Sequence, residues 1–231
     1  AQGRAIQAER LAVIGEMLSS IAHESRNTLQ RIQSGLDMLG LEFRDQTEAN
    51  ASLGKIARAS DDLQQLFEQL RSYAAPSNLD KSNHNLITIW QQVWSNLEAE
   101  RSGRDAELHE DIEGAEPICC IDAFRIEQVF RNLMENALAA CNDPVRINIR
   151  CLHSDFQGKP AVSIFVRNTG PSLSDEQKRR IFEPFFTTKV DGSGLGMAIT
   201  KRIVDTHGGE ICVNECDEGA EFRIVLPRGP S

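Results

Sequence analysis

The chain has 231 residues, 25 Lys and Arg against 34 Asp and Glu, and a formal net charge of −9 at pH 7. That acidic balance argues against a general nucleic-acid binder, because neutralising phosphates takes a surplus of basic side chains. Apolar residues make up 40%, enough for real cores in one large or two small domains, and no run approaches the roughly 18 apolar residues of a membrane span. The opening AQGRAIQAER is polar and carries no signal-peptide core. A coiled-coil pattern that starts there without a cap leads us to expect a cut through a longer chain, soluble or membrane-anchored, with no membrane contact within this fragment. The six cysteines form no C-x-x-C pair. Zinc is therefore not expected, and reduced buried thiols of a cytoplasmic protein are.

Residues 5–43 carry one long helical pattern. Leu11, Ile14, Leu18 and Ile21 follow 3-4 spacing, and Leu29, Ile32, Leu36, Leu39 and Phe43 resume it. Asp45-Gln46-Thr47-Glu48 resembles a capping box that starts a second helix. That helix carries Leu53, Ile56, Ser60, Leu63, Phe67, Leu70 and Ala74 and stops before Pro76. Two amphipathic helices joined by a short turn form an antiparallel hairpin, which cannot bury both seams alone. Pairing two hairpins gives a four-helix bundle, so a homodimer through residues 1–75 is expected. Ala75-Pro76-Ser77-Asn78 reads as a linker to a second domain over 76–231.

Beyond the linker, strands and helices mix. A helix is expected over 85–101 and strands at 106–112 and 117–121. Asp122 then caps a helix running to Cys141. Val145–His153 alternates as a strand, with a hairpin partner at 159–167 joined through Asp155-Phe156-Gln157-Gly158. A short helix begins near Ser174, another spans 194–207, and 210–215 with 220–226 forms a closing hairpin. The expected fold class is α followed by α/β: a helical hairpin, then a sandwich whose mixed sheet carries helices on one face.

Four stretches carry chemistry. His23, Glu24 and Asn27 share one exposed face of the first helix, away from its apolar seam. This is either an ordinary solvated face or a reactive one. Asn132 and Asn136 stand one turn apart on the 122–141 helix. Carboxamide oxygens suit a hard divalent cation such as Mg²⁺ bridging phosphates, although a polar outer face reads equally well. Gly192-Ser193-Gly194-Leu195-Gly196 opens a helix, where glycines let backbone approach phosphates and the N-terminus favours anions. Just before it, Phe182, Phe185 and Phe186 with Thr187, Thr188 and Lys189 suggest either a lid with a phosphate-binding lysine or an aromatic mini-core. Between these, Asn168 and Gly170 lie where a strand ends in a turn, so that a polar side chain can meet a purine edge.

In combination and order these motifs resemble the sensor histidine kinases of two-component systems, over residues 5–228. His23-Glu24-Ser25-Arg26-Asn27 resembles the phosphoacceptor box, Asn132–Asn136 the N box and Val166–Ser172 the first glycine box. Phe182–Lys189 resembles the F box and Gly192–Gly196 the second glycine box. The resemblance implies a dimerisation and phosphotransfer hairpin followed by an ATP-binding domain of the GHKL type. It implies that His23 takes the γ-phosphoryl group of ATP, that Glu24 handles its proton, and that Asn27 helps dephosphorylate a partner. Asn136, with Asn132 in support, would hold Mg²⁺, and Lys189 and the glycine-loop amides would hold phosphates. The partner would be the receiver domain of a separate response regulator. Three departures stand out. Asn168 replaces an Asp that accepts the adenine amino group, Ser172 replaces a glycine, which is strained if its φ is positive, and Thr28 replaces a proline. An alternative is therefore a degenerate pseudokinase acting as a dimeric signalling scaffold. A third reading, a GHKL ATPase clamp, is discouraged by the His23 hairpin.

Overall fold

The computed structural model describes residues 29–36, 38, 39, 52–57, 59, 60, 63, 64, 67, 79–112, 114, 117–189 and 193–229. The chain divides into two compact units, Ala1–Pro76 and Ser77–Ser231. The expected turn at 45–48 and the linker at 75–78 lie outside the described residues.

In the first unit every described residue is helical. Leu29 and Leu36 are buried two turns apart, whereas Ile32 and Leu39 on the neighbouring stripe are 42% and 41% exposed. Ile56 and Leu63, also two turns apart, are 50% and 47% exposed. Each helical segment thus turns a pair of branched apolar side chains to solvent at seven-residue spacing, the period of a helix-packing seam.

The second unit opens on β1 (Ser82–Asn85) and helix α1 (Leu86–Asn96), capped by Asn85, whose Oδ1 accepts from Ile87 N–H. A one-turn helix α2 (Glu98–Arg101) follows, so the helix expected over 85–101 is broken at Leu97. Leu97 is fully buried, and the chain turns there to keep it inside. Next come β2 (Ala106–Ile112), β3 (Ile118–Ile121), α3 (Ala123–Ala140), β4 (Val145–Phe156) and β5 (Lys159–Asn168). Then follow α4 (Asp175–Arg180), α5 (Gly196–Thr206), β6 (Glu210–Asn214) and β7 (Ala220–Pro227).

Five strands form one sheet in the order β2-β4-β5-β7-β6. β2 runs parallel to β4 and the other pairs are antiparallel, so the sheet is mixed, as the pattern predicts. β3 leaves this sheet and pairs with β1, from Ser82 opposite Ile121 to Asn85 opposite Ile118. β1 (SNHN) has no apolar alternation, so hydrophobic patterning gave no strand there; backbone pairing alone makes it one. The β4–β5 turn is tighter than expected. β4 continues to Phe156, and only Gln157 and Gly158, with φ of 54° and 75°, lie between the strands. Both residues in the left-handed region is the geometry of a two-residue hairpin turn, and Asp155 Oδ1 accepts the Gly158 N–H.

The helices meet one sheet face. Buried Ile147, Ile149, Ile164, Val166 and Ile224 line it, and α3 supplies Ile126, Phe130 and Leu133. Trp90 of α1 packs edge-on against Phe130 at 5.6 Å and donates its indole N–H to Glu110 of β2. All six cysteines are free thiols. Burial pushes Cys119 up to about 12 and Cys151 up to about 11, so both are poor nucleophiles near neutral pH.

His207, just past α5, ties two helix ends together. Its Nε2 accepts the Asp122 N–H at 3.0 Å and its Nδ1 lies 2.8 Å from Ile203 O. Those partners require the neutral ring protonated on Nδ1. Burial lowers the pKa below the ordinary 6.5; the Ile203 carbonyl and Asp122 oppose the shift, and Lys81 adds to it. Below about pH 6.5 the unfolded chain therefore binds a proton that the folded chain refuses. Stability is expected to fall as pH drops from 6.5 toward the lower folded value, then level off. Urea melts across this range check it. The His207→Gln chain, whose side-chain oxygen can still accept from Asp122, should lose that slope.

Candidate functional site

Asp122 begins the site-bearing helix. Its Oδ1 accepts the Arg125 N–H at 3.1 Å, satisfying a free donor of the first turn. With the apolar stripe of α3 buried, Asn132 and Asn136 fall one turn apart on its flank, each half-buried. Their amides do different work. Asn132 donates from Nδ2 to Gly196 O at 2.8 Å and to Thr200 Oγ1 at 3.1 Å, which pins the first turn of α5 to α3. Asn136 turns its Oδ1 to Lys189, whose Nζ donates at 2.7 Å. Although Lys189 is exposed as a residue, partial desolvation of its ammonium group lowers its pKa, and the Glu135 carboxylate opposes that shift. An oxygen already engaged by a cation is a fit donor for Mg²⁺, which takes oxygen ligands.

The turn before the glycine loop is built on α4. Ser174 and Gln177 cap that helix reciprocally. Arg180 at its end bonds Glu176 at 2.9 Å and Glu183 at 3.1 Å, and its guanidinium lies 4.5 Å from the Phe186 ring centroid. Phe186 thus packs beneath a held arginine. Phe182 is half-buried, Thr188 is exposed, and Thr187 Oγ1 accepts the Lys189 N–H at 3.1 Å.

This turn and the glycine loop form one piece. Phe185 N–H donates to Gly194 O at 3.0 Å. Gly194 has φ of +70°, and a Cβ on it would stand 2.5 Å from the Phe185 carbonyl carbon. Gly196 is different: an added Cβ there meets Asn132 no closer than 3.6 Å. Leu195 is fully buried and anchors the loop. α5 has no side-chain cap on its first turn. An uncapped N-terminus presents backbone N–H groups and the positive end of the helix dipole, the arrangement that holds phosphate.

Asn168 ends β5 on the buried face of the sheet, and its Oδ1 accepts the Ala220 N–H at 2.9 Å. At Gly170 a Cβ would meet Cys141 Sγ at 2.8 Å, so a side chain on this turn would require the thiol at the end of α3 to move. The strain expected at Ser172 if its φ were positive is absent. Among the described residues other than glycine, only Gln157 and Phe185 have positive φ. Phe185, at +66° and 66% exposed, carries it instead.

The structure therefore joins Asn132, Asn136 and Lys189 with the start of α5, and fixes Gly194 against the phenylalanine turn. His23, Glu24, Asn27, Thr28 and Gly192 lie outside the described residues. Sequence reading missed Thr200, the Ala220 N–H and the strained Phe185. Each acts through a partner distant in the chain or through backbone geometry, which no local motif records.

Residues 121–230 match the family of histidine kinase-, DNA gyrase B- and HSP90-like ATPases, and residues 13–78 match the His Kinase A (phospho-acceptor) domain. The catalytic domain of histidine kinase ThkA superposes with a TM-score of 0.58 at 30% identity, over 65% of this chain and 97% of that one. The chain belongs to the sensor histidine kinases of two-component systems. Full-length ShkA in complex with AMPPNP superposes with a TM-score of 0.75 at 25% identity over 94% of this chain and 46% of its own. ThkA in complex with response regulator protein TrrA gives 0.68 at 27% identity, over 96% of this chain and 64% of that one. Among curated sensor kinases, AtoS of Escherichia coli strain K12 is 33% identical over 99% of this chain and 37% of its own. ZraS of Salmonella typhimurium is 30% identical over 95% of this chain and 47% of its own. The chain thus spans between about a third and a half of these two sensor kinases. The expected GHKL sandwich is the fold of the second unit, and the ATPase-family match contains every described candidate residue from Asn132 to Gly196.

Proposed function

We propose that this chain is the ATP-dependent phosphotransfer core of a sensor histidine kinase. It autophosphorylates His23 and passes the phosphoryl group to an aspartate on the receiver domain of a separate response regulator. The observation that carries the reading is the convergence of Asn136 Oδ1 and Lys189 Nζ, 2.7 Å apart, on the helix that Asn132 ties to the uncapped start of α5. A metal-ligand oxygen, a phosphate-binding ammonium and a helix N-terminus together match the charges of a metal–triphosphate. Bound Mg²⁺ would neutralise phosphate charge; Asn136 would ligate it, with Asn132 behind. Lys189 and the amides around Gly192, Gly194, Leu195 and Gly196 would hold phosphate oxygens, with Thr187 and Thr188 at their side. Phe182 and Phe186 would close the turn over the nucleotide, while Asn168 and Gly170 border the base.

In the transfer step a lone pair on an imidazole nitrogen of His23 attacks the γ-phosphorus. The bond to the β–γ bridging oxygen breaks, its electrons leave with ADP, and Glu24 takes the proton from the other ring nitrogen. We assign Asn27 to positioning water when the partner regulator is dephosphorylated. Placing His23 in residues 1–75 and the nucleotide in 76–231 makes transfer depend on domain docking. The exposed pairs Ile32–Leu39 and Ile56–Leu63 support a homodimer, in which a second copy would bury them. Free thiols and the need for ATP support a cytoplasmic location.

Titration calorimetry with ATP, with and without Mg²⁺, tests the site. We expect saturable binding that Mg²⁺ strengthens. Absence of binding at millimolar nucleotide would leave only the scaffold reading, to which the kinase relatives give no support.

A further inference from the structure

Thr200 is a fully buried polar residue on the second turn of α5. Its Oγ1 accepts one amide hydrogen of Asn132 at 3.1 Å, and Gly196 O accepts the other at 2.8 Å. A carbonyl oxygen can only accept, so the Asn132 NH₂ group must face α5 and its Oδ1 must occupy the opposite branch of the planar amide. Turning the amide over would set Oδ1 against the Gly196 carbonyl oxygen. Both bonds use the NH₂ group, so neither occupies Oδ1. The amide also lies close on the α5 backbone, since a Cβ on Gly196 would stand 3.6 Å from Asn132 Cγ. Asn132 therefore has its donors committed to α5 and an acceptor left over, one turn from Asn136 on the same flank of α3.

We propose that Thr200 is a positioning residue of the metal–nucleotide site: its hydroxyl holds the Asn132 amide so that Oδ1 stays available beside Asn136. The proposal rests on the reading of Asn136 as metal ligand with Asn132 in support. An amide oxygen is a donor that Mg²⁺ accepts. Thr200, fully buried, acts through Asn132 and not on a ligand. Its oxygen does what its shape alone does not. Valine fills the same space but meets the Asn132 hydrogen with a methyl group, and in the core no water replaces the lost acceptor. An amide with one hydrogen met and the other unmet gains by rotating toward solvent, and rotation gives up the fixed place of Oδ1. Serine keeps the oxygen and loses only a methyl group.

Calorimetric titration with ATP, with and without Mg²⁺, tests this on the whole chain, on Thr200→Val and on Thr200→Ser. The quantity read is the ratio of the two affinities, which cancels any loss of binding common to both conditions. For Thr200→Val the gain in ATP affinity from Mg²⁺ should shrink about three- to tenfold, the usual contribution of one neutral hydrogen bond. Thr200→Ser should keep the parent's gain. A Thr200→Val chain with the parent's gain, whatever its affinity, would overturn the proposal and leave Thr200 a core residue. So would a Thr200→Ser chain that loses the gain as Thr200→Val does, because shape and not the oxygen would then matter. Should Thr200→Val fail to fold, Thr200→Ala, which removes the same oxygen without adding bulk, decides in its place. A parent chain that binds no ATP, or binds it without regard to Mg²⁺, would overturn the metal–nucleotide reading itself, and this inference with it.

Discussion

Asn136→Ala is expected to reduce Mg²⁺-dependent ATP binding at least 10- to 100-fold and to bring phosphorylation of His23 below detection. The substitution removes the side-chain oxygen that accepts from Lys189 Nζ, and loss of groups that hold or orient a metal costs affinity on that order. Folding should not suffer. Asn136 is half-buried on the flank of α3, and alanine is the stronger helix former, so the melting temperature should hold or rise slightly. Asn136→Asp keeps an oxygen at the same reach and should retain a measurable part of the binding. Calorimetry with and without Mg²⁺ separates the contributions. Equal ATP affinity for the Ala variant and the parent in Mg²⁺ would remove Asn136 from the metal site. The apposition to Lys189 would then be only a surface contact.

Gly194→Ala should be the second most damaging change, while Gly196→Ala two residues on should leave folding intact. At Gly194 the backbone is left-handed, φ +70°, and the new Cβ would sit 2.5 Å from the Phe185 carbonyl carbon and 2.8 Å from the Phe186 nitrogen. Left-handed backbone alone costs a side-chain-bearing residue about 1–2 kcal/mol. Steric overlap with backbone adds more, because backbone cannot rotate away as a side chain does. The loop must lift from the phenylalanine turn, breaking the bond from Phe185 N–H to Gly194 O and unsettling Lys189 with it. ATP affinity should fall by about 10-fold or more, with a lower melting temperature. Gly196 lies within helix α5, and its added Cβ has ordinary contact distances. Alanine there should raise thermal stability, by up to about 1 kcal/mol. Similar losses of stability at both positions would show that the loop needs flexibility in general, not this one close approach.

Much of this was legible in the sequence because it is written locally. Asp122 before an apolar helical run announces a helix start, and the structure uses its Oδ1 for that purpose. A short helix expected near Ser174 does start there, with Ser174 and Gln177 capping it reciprocally. Asn132 and Asn136 at four-residue spacing must share a flank, whatever the rest of the chain does. What escaped was not local. Asn132 reads as metal support, but its amide hydrogens are taken by Gly196 and Thr200, more than sixty residues away. Asn168 reads as a residue free to meet a base, but the Ala220 N–H claims its oxygen across the sheet. Ser172 was to be strained only if its φ were positive, which it is not; Phe185, where the turn closes against Gly194, has the positive φ instead. β1 was invisible because strands seldom betray themselves without alternating apolar residues.

The measurement that bears most directly on phosphotransfer is incubation of the purified chain with γ-labelled ATP and Mg²⁺, beside His23→Gln. Covalent label that is labile in acid, stable in alkali and absent from His23→Gln is the predicted result. It would place the phosphoryl group on the His23 imidazole. A folded, dimeric, ATP-binding chain that takes up no label, or one that labels equally without His23, would contradict the proposed function.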